Sequence, residues 1–153
     1  MFDLADKLSE DIEFSGERKL LIRCLLTQCL DYLVAKAMAG NDKSLMREAK
    51  LIRMSKYHRS KAYGTAMVGD YLKRYKRTQA QRRIIERGAE ALEYIMLPIN
   101  TSEAQEYVFS FYNTCTLIGL DHTRLRNRLL AYTPEQIKEE LSNRGYEGFE
   151  WRA

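Results

Sequence analysis

The chain is constrained most by residues 109–130, FSFYNTCTLIGLDHTRLRNRLL, where a Gly-Leu-Asp corner separates two apolar-periodic runs. Gly119 stands where the C′ residue of a helix takes left-handed backbone, a conformation that a β-carbon resists. Two residues on, Asp121 stands where an N-cap belongs. Its carboxylate can accept from the backbone N–H of Thr123 or Arg124 and faces the positive end of a helix dipole. Leu120 and Leu125 are expected to pack in the corner, with Leu129 one turn beyond. The spacing predicts a helix-turn-helix over 109–131, its first helix ending near Ile118.

The rest of the sequence supports an all-α fold, a compact multi-helix bundle containing this corner. Proline occurs twice in 153 residues, and Leu, Ala, Arg, Lys, Glu and Tyr dominate. That length suits one helical domain, 1–153, with a real core, and is short for two. No run approaches the roughly 18 apolar residues of a membrane helix, and MFDLADKLSEDIEF is acidic where a signal peptide is basic. A soluble, cytoplasmic protein is expected.

Periodicity divides the chain into helical segments with short joints. Leu4, Leu8 and Ile12 make a narrow stripe on a short helix over 4–13, which Ser15-Gly16 ends. Ser15 is expected to cap a long helix over 16–39. Its face reads Leu21, Cys24, Leu25, Gln28 and Tyr32, and its LLIRCLLTQCLDYLV run is apolar enough to be central. Gly40 and Asn41 make a turn, after which Asp42 or Ser44 caps a helix over 44–54 bearing Leu45, Ala49 and Ile52. Residues 79–97 present Ile84, Ile85, Gly88, Ala91, Leu92, Ile95 and Met96 on one face, and Leu97-Pro98 ends them. The polar joint 98–107 follows, with Thr101, Ser102 or Ser110 able to open the first helix of the corner. Thr133, Pro134 and Gln136 make a capping box for a last helix to about Asn143. The tail 144–153 carries Tyr146, Phe149 and Trp151.

Cysteine and histidine content narrows the chemistry. Cys24, Cys29 and Cys115 match no metal-ligand spacing and read as reduced, buried thiols, and His58 and His122 are too few for a histidine-rich zinc site. No phosphate loop, HExxH pair, nucleophile elbow or paired-carboxylate cluster appears, so neither catalysis, a metal nor a cofactor is expected. Charge is more informative. The net value is +4, but the first 15 residues are acidic, and between Lys43 and Arg83 a dense set of cations faces only Glu48 and Asp70.

Two blocks of the sequence carry a resemblance. Glu90, Ala91, Tyr94 and Ile95 match an EAxxWI helix, with Tyr in place of Trp. Phe109, Ser110, Phe111, Cys115, Gly119, Leu120, Asp121, Leu125, Arg126 and Leu129 match an FSFxxxCxxLGLDxxxLRxxL segment, with Ile118 where that pattern has Leu. Together with the apolar helix GERKLLIRCLLTQCLDYLV, the chain resembles small helix-turn-helix proteins encoded by bacteriophages and prophages over roughly half its length. The resemblance implies a helical fold, a bacterial host cell and DNA binding, without a specific target. Residues 43–80 lie outside it and read as a basic helical insertion.

A helical wheel gives the second helix of the corner its expected chemistry. With Leu125 and Leu129 inward, Thr123 and Asn127 turn outward, flanked by Arg124 and Arg126. Arginine can pair bidentately with guanine and asparagine with adenine, and threonine can reach a phosphate or a thymine methyl. Arg128, on the other flank, suits the DNA backbone or an internal carboxylate. Further phosphate contacts are expected from Arg47, Lys50, Arg53, Lys56, Arg59, Lys61, Lys73, Arg74, Lys76 and Arg77. The interleaved tyrosines Tyr57, Tyr63, Tyr71 and Tyr75 either stack on unpaired bases or complete the core. The expected function is that of a phage-type transcriptional regulator reading duplex DNA, with homodimerisation matching palindromic half-sites. The alternative is a phage protein that binds and modulates a host protein, with the helical corner as scaffold.

Overall fold

A computed structural model of the chain describes residues 16–57 and 74–143. The helix expected over 4–13, the cap at Ser15 and the tail 144–153 lie outside the described residues. The described residues are helical, in the order α1 (Gly16–Ala39), α2 (Asp42–Tyr57), α3 (Gln79–Met96), α4 (Ser102–Glu106), α5 (Phe111–Ile118), α6 (His122–Ala131) and α7 (Pro134–Asn143). The chain divides into two compact units, and the division falls within α1 and α3. In the described residues one unit holds 16–31 and 91–132, and the other holds 32–57, 74–90 and 133–143.

In the first unit, the early turns of α1 bury Ile22, Leu25 and Cys29, the end of α3 buries Ala91, Leu92 and Ile95, and α5 buries Phe111, Thr114, Cys115 and Ile118. The buried stripe of α1 is therefore rotated from the expected one. Cys24 is exposed and Leu21 and Gln28 are half-buried, because Ile22 and Cys29 take the inward positions. Met96, expected on the inner face of α3, is exposed at the helix end. The joint after α3 is less irregular than expected. Thr101 accepts from Ala104 N–H and caps the short helix α4, while Ser110 accepts from Asn113 N–H and caps α5, so of the three candidates Thr101 and Ser110 act as caps and Ser102 is the first residue of α4.

In the second unit, the later turns of α1 are buried almost all round: Tyr32, Leu33, Ala35, Lys36, Ala37 and Met38. Leu45, Ala49 and Ile52 line the inner face of α2, Ile85 and Ala89 that of α3, and Ile137 and Leu141 that of α7. Each fully buried Leu or Ile contributes about 1.5–3 kcal/mol. The α1–α2 turn is capped by Asn41 rather than by Asp42 or Ser44: Asn41 Oδ1 accepts from Ser44 N–H at 2.7 Å. Asp42 is engaged elsewhere. It accepts from the Tyr32 hydroxyl at 2.6 Å and lies 3.9 Å from Lys36 Nζ. Burial, then Asp42, pushes the Tyr32 hydroxyl pKa up, and burial pushes that of Lys36 down against the opposing pull of Asp42. Two reciprocal capping boxes start α3 and α7. Thr78 and Gln81 exchange bonds of 2.9 and 3.2 Å, and Thr133 and Gln136 exchange bonds of 3.0 and 3.2 Å.

Candidate nucleic-acid interface

The corner between α5 and α6 has the local chemistry its sequence dictates. Gly119 lies at φ +79°, its N–H bonds Thr116 O at 3.2 Å, and Leu120 N–H bonds Cys115 O at 2.8 Å, the paired bonds of a Schellman motif. The Asp121 carboxylate accepts from Thr123 N–H at 2.9 Å and Arg124 N–H at 3.2 Å. Leu125 and Leu129 are buried, and the His122 ring meets Tyr112 edge-on at 4.8 Å.

Of the expected base-reading residues, Thr123, Arg124 and Asn127 are exposed, and Arg128 is exposed beside them. At about 100° per residue these four span an arc of about 140°, opposite the Leu125 and Leu129 stripe. Thr123 Oγ1 lies 3.2 Å from His122 Nε2. Arg124 and Arg128 flank a groove of about 380 Å³ whose apolar floor is Leu120, Leu125 and Leu129.

Arg126 departs from the expectation. Its Nε donates to Ile95 O at 2.8 Å and its Nη2 to Leu97 O at 3.4 Å, while its guanidinium lies 5.6 Å from the centre of the Phe111 ring. It serves as a cation on the open carbonyls at the C-terminal end of α3, where the helix dipole is negative. A second arginine, missed in the sequence, does the same for α5: Arg18 Nη2 donates to Ile118 O at 3.0 Å.

The two sequence blocks of the phage-type pattern are bonded to each other. Tyr94 donates to Phe109 O at 2.7 Å and sets its ring edge-on to Phe111 at 5.9 Å, and Ile95 O holds Arg126. The same unit buries two thiols, Cys29 and Cys115. Cys29 is pushed up to about 12, first by burial and then by Cys115, and Cys115 is pushed up to about 12 by burial against the lowering effect of Arg126.

In the other unit, α2 separates its faces cleanly. Lys43, Arg47 and Lys50 are exposed on the side away from Leu45, Ala49 and Ile52, and Arg53 is exposed at the edge of that stripe. Arg74 and Lys76 are also exposed. Arg77 is a correction to the phosphate set. It is 8% exposed, and its Nε donates to Glu48 Oε1 at 2.8 Å and its Nη2 to Met38 O at 3.0 Å. Of the remaining candidates, Lys56 belongs to α2 but its side chain lies outside the described residues, as do Arg59, Lys61 and Lys73 altogether. Tyr63 and Tyr71 and the side chain of Tyr57 are also outside, and Tyr75 is half-buried. Among the described residues no group of three or more His, Cys, Asp or Glu could hold a metal ion, and no helix is long and apolar enough to cross a membrane. No protein-family model, curated protein or solved structure matches the chain.

Proposed function

We propose that the chain is a phage-type DNA-binding regulator in which α5, the Gly119-Leu120-Asp121 turn and α6 act as a helix-turn-helix. Helix α6 reads duplex DNA. The observation that carries this reading is the division of labour on α6. Leu125, Leu129 and Arg126 anchor the helix to its unit, and Thr123, Arg124, Asn127 and Arg128 are left exposed on one arc. A recognition helix needs that division, because base edges are read by side chains whose helix is held rigidly by its other face. Thr123, Arg124 and Asn127 supply donor and acceptor groups for base edges, and Arg128 supplies a phosphate contact. The exposed cations of α2, Arg47, Lys50 and Arg53 with Lys43, are a separate source of sequence-independent affinity.

The test is a gel shift on duplex selected from a random pool. The combined change Arg124→Ala with Asn127→Ala weakens binding to the selected site roughly tenfold or more, while Arg47→Ala with Lys50→Ala weakens binding to all sequences alike. Arg126→Ala acts differently: it releases the end of α3 and lowers the melting temperature. If no duplex is retained at low salt, the reading fails. The alternative, a phage protein that modulates a host protein with the corner as scaffold, would set the exposed basic face of α2 against an acidic partner surface.

A further inference from the structure

Between α4 and α5 three consecutive apolar side chains stand in solvent. Tyr107 is 58% exposed, Val108 57% and Phe109 54%. Single exposed apolar residues are ordinary, but a run of three, two of them aromatic, is the composition of a contact surface. The segment is also held in place. Tyr107 N–H bonds Glu103 O at 3.1 Å, and Tyr107 O accepts from Ser110 N–H at 3.0 Å and from Asn113 Nδ2 at 2.7 Å. Phe109 O accepts the Tyr94 hydroxyl at 2.7 Å, and Ser110 Oγ donates to Ala104 O at 2.7 Å. The two aromatic rings meet edge-on at 6.0 Å. A backbone fixed at both ends loses little freedom on binding, which raises the affinity that a small apolar area can yield.

Charge then specifies the partner. From Ala91 to Leu120 the chain has three carboxylates, Glu93, Glu103 and Glu106, and no lysine or arginine, although the whole protein carries +4. All three are exposed, and Glu103 and Glu106 belong to α4, which leads directly into Tyr107. An apolar run preceded in the chain by exposed carboxylates disfavours DNA and anionic lipid and favours a cationic surface. We infer that Tyr107, Val108 and Phe109 are a preformed docking site for a basic amphipathic segment of a partner protein. Apolar contacts to the two rings provide affinity, and Glu103 and Glu106 select the sign of charge. This inference is independent of DNA reading by α6.

The experiment titrates the full chain with a synthetic amphipathic helix of lysine and leucine, and with a counterpart in which glutamate replaces lysine, following ¹⁵N amide shifts and anisotropy. The lysine peptide binds and shifts the amides of residues 103–113, and the glutamate peptide binds at least about tenfold more weakly. Tyr107→Ser with Phe109→Ser, and separately Glu103→Lys with Glu106→Lys, each weaken the lysine peptide about tenfold while helical circular dichroism is retained. Val108→Asp provides the same test should the double aromatic variant lose its helical circular dichroism. Equal binding of both peptides, or shifts confined to other segments, overturns the inference. So does a concentration-dependent dimer in sedimentation that the Tyr107 and Phe109 changes abolish, since the occupant is then a second copy.

Discussion

Arg77 and Arg126 show how a cation's destination depends on what lies far away in sequence. Arg77 follows Lys73, Arg74 and Lys76 and shares their composition, yet it is paired with Glu48, 29 residues earlier, in a buried site. Arg77→Ala leaves the Glu48 carboxylate buried without its partner and lowers stability by about 3–5 kcal/mol in urea unfolding, whereas Arg77→Met with Glu48→Met recovers most of that loss. The buried thiols give a prediction in pH. Cys29 and Cys115 move from an ordinary 9.0 to about 12 because burial disfavours thiolate. The folded chain therefore holds protons that the unfolded chain releases. Their contribution to stability is complete below pH 9.0 and is lost as pH rises towards 12. Tyr32, also raised above its ordinary 10.0, acts in the same direction. The urea midpoint falls between pH 8.5 and 10.5, and Cys29→Ala reduces that fall. At pH 8 a thiol reagent labels the exposed Cys24 quickly, and Cys29 and Cys115 only as the chain unfolds.

Helix ends are set by local chemistry, and so most of them were legible in the sequence. The Gly119 and Asp121 corner, the C-terminal end of α1 and the Thr133 capping box follow from residues a few positions apart. The same four-residue pattern at Thr78 and Gln81 was equally readable and was missed beside the basic run. Side-chain faces were less legible, because the inward stripe of α1 depends on which helices it meets. Wheel geometry placed Arg126 beside Thr123, and only the open end of α3 explains why it turns inward. Of the candidate site, Thr123, Arg124 and Asn127 stand exposed as expected, and the apolar run 107–109 straddles the boundary between the polar joint read over 98–107 and the corner read from Phe109, so neither reading singled it out. Substitutions at the corner separate strain from crowding. A β-carbon at residue 119 would meet nothing nearer than Arg18 Nη2 at 3.9 Å, so Gly119→Ala costs about 1–2 kcal/mol through its left-handed backbone alone. Asp121→Ala costs about 1 kcal/mol by uncapping α6, and Asp121→Asn costs less because its amide oxygen still accepts. Thermal unfolding of the three variants checks the order.

For the whole molecule, charge is sorted by region more sharply than its net +4 suggests. Residues 91–120 carry carboxylates only, while α2 and α6 expose cations, so one chain presents surfaces suited to partners of opposite sign. The proposed association with nucleic acid would release counterions, and its salt dependence would report how many phosphates are neutralised. DNA reading by α6 is tested most directly by an anisotropy titration of labelled duplex from about 50 to 200 mM salt. The predicted result is a log–log slope of about −0.9 per phosphate contacted, made shallower by about one unit in Arg128→Ala, together with affinity for a selected site that is lost in Arg124→Ala with Asn127→Ala. No binding at about 50 mM salt, or binding indifferent both to salt and to these residues, contradicts it.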